Sequence, residues 1–112
     1  MTKITIFYEN ENTICGFRIE GHSGYSEKGS DIVCAAVTTA SMTVVNGLSD
    51  VVGIKVKTKI RDGFLECTLP DNLGEAERYG AKVLTDSMLL TLKNIEEQYK
   101  DYIVIIERRC SK

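Results

Sequence analysis

The spacing of hydrophobic side chains along this chain of 112 residues is the feature that most limits its fold. In residues 3–9 and 13–20 hydrophobic and polar side chains alternate, which is the period of a half-buried strand. Over residues 32–50 the spacing widens to three or four residues, which indicates a helix. Alternation returns at residues 54–60, and an Asp-Gly pair at 62–63, a strong hairpin signal, leads into the strand that follows.

The rest of the chain adds one more helix and one more strand. Asp71 or Asn72 is suited to cap a helix over about residues 73–98, and the apolar run from Tyr102 to Ile106 is typical of a well-covered strand. The element order is therefore ββαββαβ. This order predicts an α+β, two-layer sandwich in which two helices pack on one face of a mainly antiparallel sheet. The length suits a single domain over residues 1–112.

The same spacings assign the side chains that face the core. In the strands these are Ile4, Ile6 and Tyr8; Cys15, Phe17 and Ile19; Ile54, Val56, Thr58 and Ile60; and Leu65, Cys67 and Leu69. In the first helix they are Val33, Val37, Ala40, Val44, Leu48 and Val51. In the second helix one stripe contains Ala76, Gly80, Val83, Ser87 and Leu90, and Leu84, Met88, Leu92 and Ile95 widen it.

Charge and hydropathy exclude several functions. The net charge is −2 and the pI is about 5.4, whereas a nucleic-acid-binding domain usually has a basic excess, so direct nucleic-acid binding is not expected. No apolar run is expected to approach the roughly 20 residues of a membrane helix. The N-terminus reads as a strand and lacks the apolar segment of a signal peptide. We therefore expect a cytoplasmic protein without membrane contact.

The four cysteines contain no CxxC pair, so a structural zinc site is not expected. No metal and no cofactor are predicted. In a reducing cytosol all four should be free thiols. Cys15 and Cys67 fall on the predicted inner faces of strands, where a cysteine behaves as a small hydrophobe. Cys110 belongs to the C-terminal tail and is expected to be inert or adventitiously oxidisable.

Cys34 is the thiol with a different setting, because it follows the cap candidate Asp31 by three residues and so lies in the first helical turn. The backbone N–H groups of that turn have no intrahelical partner, and the helix dipole is positive there. Both effects favour a thiolate, which is a strong nucleophile. The same amides, including that of Cys34, are candidates to stabilise an oxyanion.

His22, the only histidine, lies across a glycine-rich loop (residues 21–31) from Cys34 and is placed to exchange protons with it. Asp31 either orients His22 or only caps the helix. From the residues alone other interpretations stay open: Cys34 as a buried structural cysteine, His22 as a solvated loop residue, and glycines that serve only turns.

Two segments resemble a known family. Residues 21–25 read GHSGY and residues 29–37 read GSDIVCAAV, which together resemble the signature of the Prp family of ribosomal-processing cysteine proteases. One departure is Thr38, where family members often have Ser. The resemblance implies that His22 and Cys34 are the catalytic pair and that Asp31 and Gly21 are supporting positions. The substrate-loop positions that it implies are Ser23, Gly24, Tyr25, Gly29 and Ser30.

The resemblance also implies an activity. Family members are endopeptidases that remove a short N-terminal extension from a large-subunit ribosomal protein and cut after aromatic residues. A homodimer and a mobile glycine-rich loop over the active site are implied as well. The glycine spacing itself suggests that this loop orders only around the substrate. The alternatives are a non-enzymatic ribosome-associated binding module and a thiol redox protein, the latter disfavoured because no CxxC partner is present.

Overall fold

The computed structural model describes residues 1–21 and 31–110, in which five strands form one sheet in the order β3-β4-β2-β1-β5. Neighbouring strands are antiparallel except β1 and β5, which are parallel. The expected ββαββαβ order and the mainly antiparallel sheet are confirmed. The strands are β1 (Thr2–Asn10), β2 (Thr13–Glu20), β3 (Lys57–Arg61), β4 (Phe64–Thr68) and β5 (Ile103–Arg109).

Two α-helices, α1 (Ile32–Asn46) and α2 (Glu75–Gln98), cover one face of this sheet, and α1 continues into a π-helical turn, Gly47–Val52. The strand side chains beneath them alternate as predicted. Ile4 faces Ile19 and Ile6 faces Phe17 across the β1–β2 ladder, and all of them are buried. Burial of such side chains contributes roughly 1.5–3 kcal/mol each, so this face anchors both helices.

The edge strands differ from the prediction. β3 begins at Lys57, not at residue 54, and all five of its residues are exposed, including Ile60 at 57%. Ile54 is buried but precedes the strand. The alternation of lysines was read correctly as a strand, but β3 lies at the sheet edge, where nothing among the described residues covers its inner face fully. β5, at the opposite edge, has one buried, three half-buried and three exposed residues, so it is less well covered than predicted.

The helical stripes need two corrections. Val51 is 84% exposed because the π-helical turn winds more residues per turn than an α-helix and rotates this position out of the stripe. In α2 the core side chains come from the second group predicted for this helix, with Met88 and Leu92 buried. Leu90, from the first predicted stripe, is 66% exposed. Helix α2 begins after Gly74, not after Asp71 or Asn72; the Glu77 carboxylate accepts the Gly74 N–H at 2.9 Å.

One helical stretch, Ile32–Val52, has 21 residues and is apolar enough by length and composition alone to cross a membrane. This corrects the expectation that no apolar segment approaches that length. Val33, Val37 and Leu48 from this stretch lie in the core against the sheet and α2. The apolar composition is thus explained by packing inside the fold.

Leu92 and Leu90 provide a test of the assignment of the α2 faces. Leu92 is fully buried, so Leu92→Ala should lower the free energy of unfolding by about 2–5 kcal/mol through lost burial and a cavity. Leu90→Ala is the matched control on the same helix and should change it by less than about 0.5 kcal/mol. Urea denaturation followed by circular dichroism measures both; equal losses would contradict the assignment.

Candidate active site

Asp31 determines how α1 begins. Its backbone is extended, and its carboxylate Oδ1 accepts the N–H groups of Val33 at 2.9 Å and Cys34 at 3.0 Å. Its carbonyl oxygen accepts the Ala35 N–H at 3.0 Å. Asp31 is itself only 5% exposed, so its charge is stabilised by these amides and by the positive end of the helix. The structure therefore gives Asp31 the role of helix cap.

This capping also uses the amide that the sequence suggested for an oxyanion. The Cys34 N–H donates to Asp31 and so points back along the helix start, which corrects the expectation that it is available to a substrate. If Cys34 Sγ attacks a carbonyl carbon, the oxyanion that forms on the carbonyl oxygen needs donors from other groups. The Cys34 side chain is partly exposed and takes no part in a disulfide among the described residues.

Cys34 faces a cavity of about 360 Å³ between α1 and the β3–β4 hairpin. On the helix side the cavity is lined by residues spaced four apart, Cys34, Thr38 and Met42, which lie on one face of a helix. The opposite wall comes from the hairpin, including Ile60 and Gly63. A cleft of this size, with apolar walls and few polar groups, is typical of a ligand site.

Sequence reasoning missed this opposite wall. Ile60 was assigned to the core, and the Asp62-Gly63 pair was used only as a hairpin signal, yet both line the cavity with Cys34. The missed signal was the position of the hairpin in the sheet. The turn between β3 and β4 lies at the same end of the sheet as the start of α1, so the two line one cavity. Spacing within a single segment does not contain that information.

Gly21 holds the hairpin wall in place. Its N–H donates to the Gly63 carbonyl at 2.8 Å, which ties the end of β2 to the turn between β3 and β4. Its φ of +84° is in the left-handed region that favours glycine, and a Cβ there would lie 2.9 Å from the Met1 carbonyl oxygen. No other residue fits this position without strain. Gly21 also lines the same cavity as Cys34.

The other residues of the predicted site fall in residues 22–30, outside the described residues. They are His22, Ser23, Gly24, Tyr25, Gly29 and Ser30. What the structure does place are the two ends of this segment: Gly21, which directly precedes His22, and Asp31, which directly precedes α1.

The remaining thiols have different environments. Cys67 is fully buried on β4, and burial raises the pKa of its thiol to about 12, so it stays protonated and unreactive at neutral pH. Cys15 and Cys110 form a disulfide, with 6.7 Å between their Cα atoms. The structure thus differs from the expectation of four free thiols, which was made for a reducing cytosol, because it joins Cys15 to Cys110 of the C-terminal tail.

A β-bulge explains the disulfide. Phe7 pairs with Gly16 and Tyr8 pairs with Ile14, so Cys15 is an extra residue without a partner in the ladder. Cys110 follows β5, and its N–H donates to the Tyr8 carbonyl at 2.9 Å, which brings it beside the bulge.

Comparisons with known proteins agree on one family. A family model described as "Cysteine protease Prp" matches residues 1–104. The ribosomal processing cysteine protease Prp of Bacillus subtilis (strain 168) is 31% identical over 103 residues, which cover 90% of this chain and 92% of that protein. The protein of the same name from Staphylococcus aureus (strain NCTC 8325 / PS 47) is 26% identical, over 92% of this chain and 95% of its own.

Solved structures show that the fold is shared. The essential ribosomal processing protease Prp from S. aureus, in complex with a covalently linked product peptide, matches with a TM-score of 0.86 and 24% identity, over 96% of this chain and 100% of that chain. The same protease in complex with a substrate peptide matches with a TM-score of 0.81 and 23% identity, over the same shares of the two chains.

Replacing the cap should test how α1 is held. Asp31→Ala removes the acceptor of two amides and should lower the free energy of unfolding by about 0.5–2 kcal/mol. Asp31→Asn keeps an oxygen at the same position and is the control, with a smaller loss. Thermal denaturation measures both. If Asp31→Ala were as stable as the native chain, the side chain would not be acting as a cap.

Counting thiols by iodoacetamide labelling and mass spectrometry tests the four cysteines together. At pH 7.5 the native protein should take up one adduct, on Cys34, because Cys67 is buried and protonated. Denaturation without reductant should give two adducts, and denaturation with reductant should give four. Four adducts without any reductant would contradict the Cys15–Cys110 bond.

Proposed function

The chain belongs to the Prp family of cysteine proteases, and from that premise we propose that Cys34 is its nucleophile and His22 the partner that moves the proton. One observation supports this assignment above the others. Cys34 lies partly exposed in the first turn of α1 and lines the same cavity as Gly21, the neighbour of His22 in the chain. Membership in a protease family removes the support for a redox protein or a non-enzymatic binding module.

The proposed reaction is acyl transfer. His22 takes the proton of the Cys34 thiol as the sulfur attacks the carbonyl carbon of the scissile peptide bond. The tetrahedral intermediate then breaks the C–N bond, and His22 delivers the proton to the departing amine. Water attacks the remaining thioester, which releases the carboxylic acid and restores the thiol.

The proposed substrate is the N-terminal extension of a large-subunit ribosomal protein, cut after aromatic residues. The relatives are named as ribosomal processing proteases, and those from S. aureus bind peptides in their crystals. In this chain the cavity beside Cys34 has apolar walls formed in part by Val37, Met42 and Ile60. Its volume of about 360 Å³ accommodates an aromatic side chain next to the scissile bond.

We further propose that residues 1–112 act as one protease domain, in the cytoplasm and as a homodimer. The homodimer is carried over from the resemblance to the family. Disulfides are rare in the cytosol, so the Cys15–Cys110 bond is expected to open in that compartment.

Peptide cleavage tests the assignment. The native protein should cut a synthetic peptide that spans the junction between an N-terminal extension and the mature ribosomal protein, as seen by mass spectrometry. Cys34→Ala, Cys34→Ser and His22→Ala should each lower kcat by about 10³-fold or more, because each removes a group of the reaction itself.

Cys67→Ala is the matched control for this experiment, since it removes a thiol that the cavity does not reach. It should keep kcat within about threefold, although it loses some stability through the cavity that it leaves. Circular dichroism of every variant separates lost chemistry from lost folding. Normal turnover by a folded Cys34→Ala protein would end the proposal.

A further inference from the structure

The strand β3 forms an edge of the sheet that has no partner among the described residues. Residues 57–61 pair with β4 on one side, and every one of them is exposed. An edge strand presents a row of backbone N–H and C=O groups that are able to pair with another extended chain. Such an edge is a general means of binding a peptide, because the main-chain bonds form with any sequence.

The hairpin geometry tells which of these groups point outward. Arg61 and Phe64 flank the two-residue turn and face each other. In such a turn the carbonyl of the residue before it, here Arg61, accepts the N–H of the residue after it, here Phe64. Bonded and non-bonded pairs then alternate along an antiparallel ladder. Lys59 therefore bonds to β4, whereas Thr58 and Ile60 direct their N–H and C=O groups away from the sheet.

This edge is continuous with the cavity at Cys34. Ile60 and Arg61 line that cavity, and so does Gly63 in the turn. Facing them across the cavity are Cys34 and Met42 of α1. A chain that pairs with the outer edge of β3 and continues past its end therefore enters the cavity in an extended form.

We propose that the peptide substrate binds as an added strand on β3, through the outward N–H and C=O groups of Thr58 and Ile60, and that this pairing delivers the scissile bond to Cys34. The proposal rests on the proposed function, since it names how the same site holds its substrate. Affinity then comes from the main chain, and selectivity comes from the side chain that enters the cavity.

The charges on β3 favour a peptide over a second copy of this chain as the occupant. Lys57, Lys59 and Arg61 occupy alternate positions and so share one face of the strand. Two copies of β3 placed edge to edge would bring these positive charges together, which is unfavourable, and lysines on an edge strand protect it from self-pairing in this way. A peptide without such a basic row meets no comparable repulsion.

Proline substitution tests the outward N–H groups. Thr58→Pro removes an N–H that makes no bond to β4, and proline is tolerated at such edge positions. Its KM for the junction peptide should be about three- to tenfold above that of Thr58→Ala, which keeps the N–H, with kcat little changed. Lys59→Pro is the control for direction: it removes a bond to β4 and should lower Tm by about 4 °C or more relative to Thr58→Pro.

Amide hydrogen exchange by NMR gives an independent measurement if Thr58→Pro does not fold. In folded Cys34→Ala protein, saturating junction peptide should slow exchange at the Thr58 and Ile60 amides at least tenfold. Unchanged exchange, while the native protein still cleaves the peptide, would overturn the added strand and leave the proposed function standing. Protection that rises with protein concentration in the absence of peptide would assign the edge to a second copy and also overturn it. Absence of cleavage by the native protein would instead reject the proposed function.

Discussion

The buried carboxylate of Asp31 is the contact on which the candidate site depends. One of its oxygens accepts two amides of the first turn of α1, so the direction of the helix start and the position of Cys34 are set together. The helix supplies compensation for the buried charge, and the charge supplies acceptors for amides that would otherwise be unpaired. The arrangement fixes the position of Cys34 on the wall of the cavity.

Much of the fold follows from local periodicity, and the exceptions have local causes that periodicity does not contain. Ile4, Ile6 and Phe17 were assigned correctly because β1 and β2 pair without a register shift from residues 3–7 to residues 16–20. The disulfide of Cys15 was missed because a bulge inserts an unpaired residue there, and Val51 was misplaced because the helix changes to a wider turn. Both departures arise from tertiary packing, which a single-segment pattern does not record.

The candidate site divides in the same way. Cys34 and its cap Asp31 were identified from their three-residue spacing and from capping chemistry, because the signals for a helix N-terminus lie in neighbouring residues of the sequence. The hairpin wall was missed because Ile60 and Gly63 meet Cys34 only through the order of the strands in the sheet. Because β4 pairs directly with β2, the turn between β3 and β4 lies next to Gly21 at the end of β2, and both line the cavity with Cys34.

The Cys15–Cys110 bond has a mechanical consequence. Cys15 is in β2 and Cys110 follows β5, so the bond reaches over β1, which lies between these two strands. A force applied at the C-terminus therefore reaches the middle of the sheet directly, and β5 is not peeled away one residue at a time. If the disulfide is reduced, the pulling force acts on β5 alone. Resistance to a motor that unfolds the protein from its C-terminus therefore depends on whether the redox conditions keep Cys15 and Cys110 oxidised.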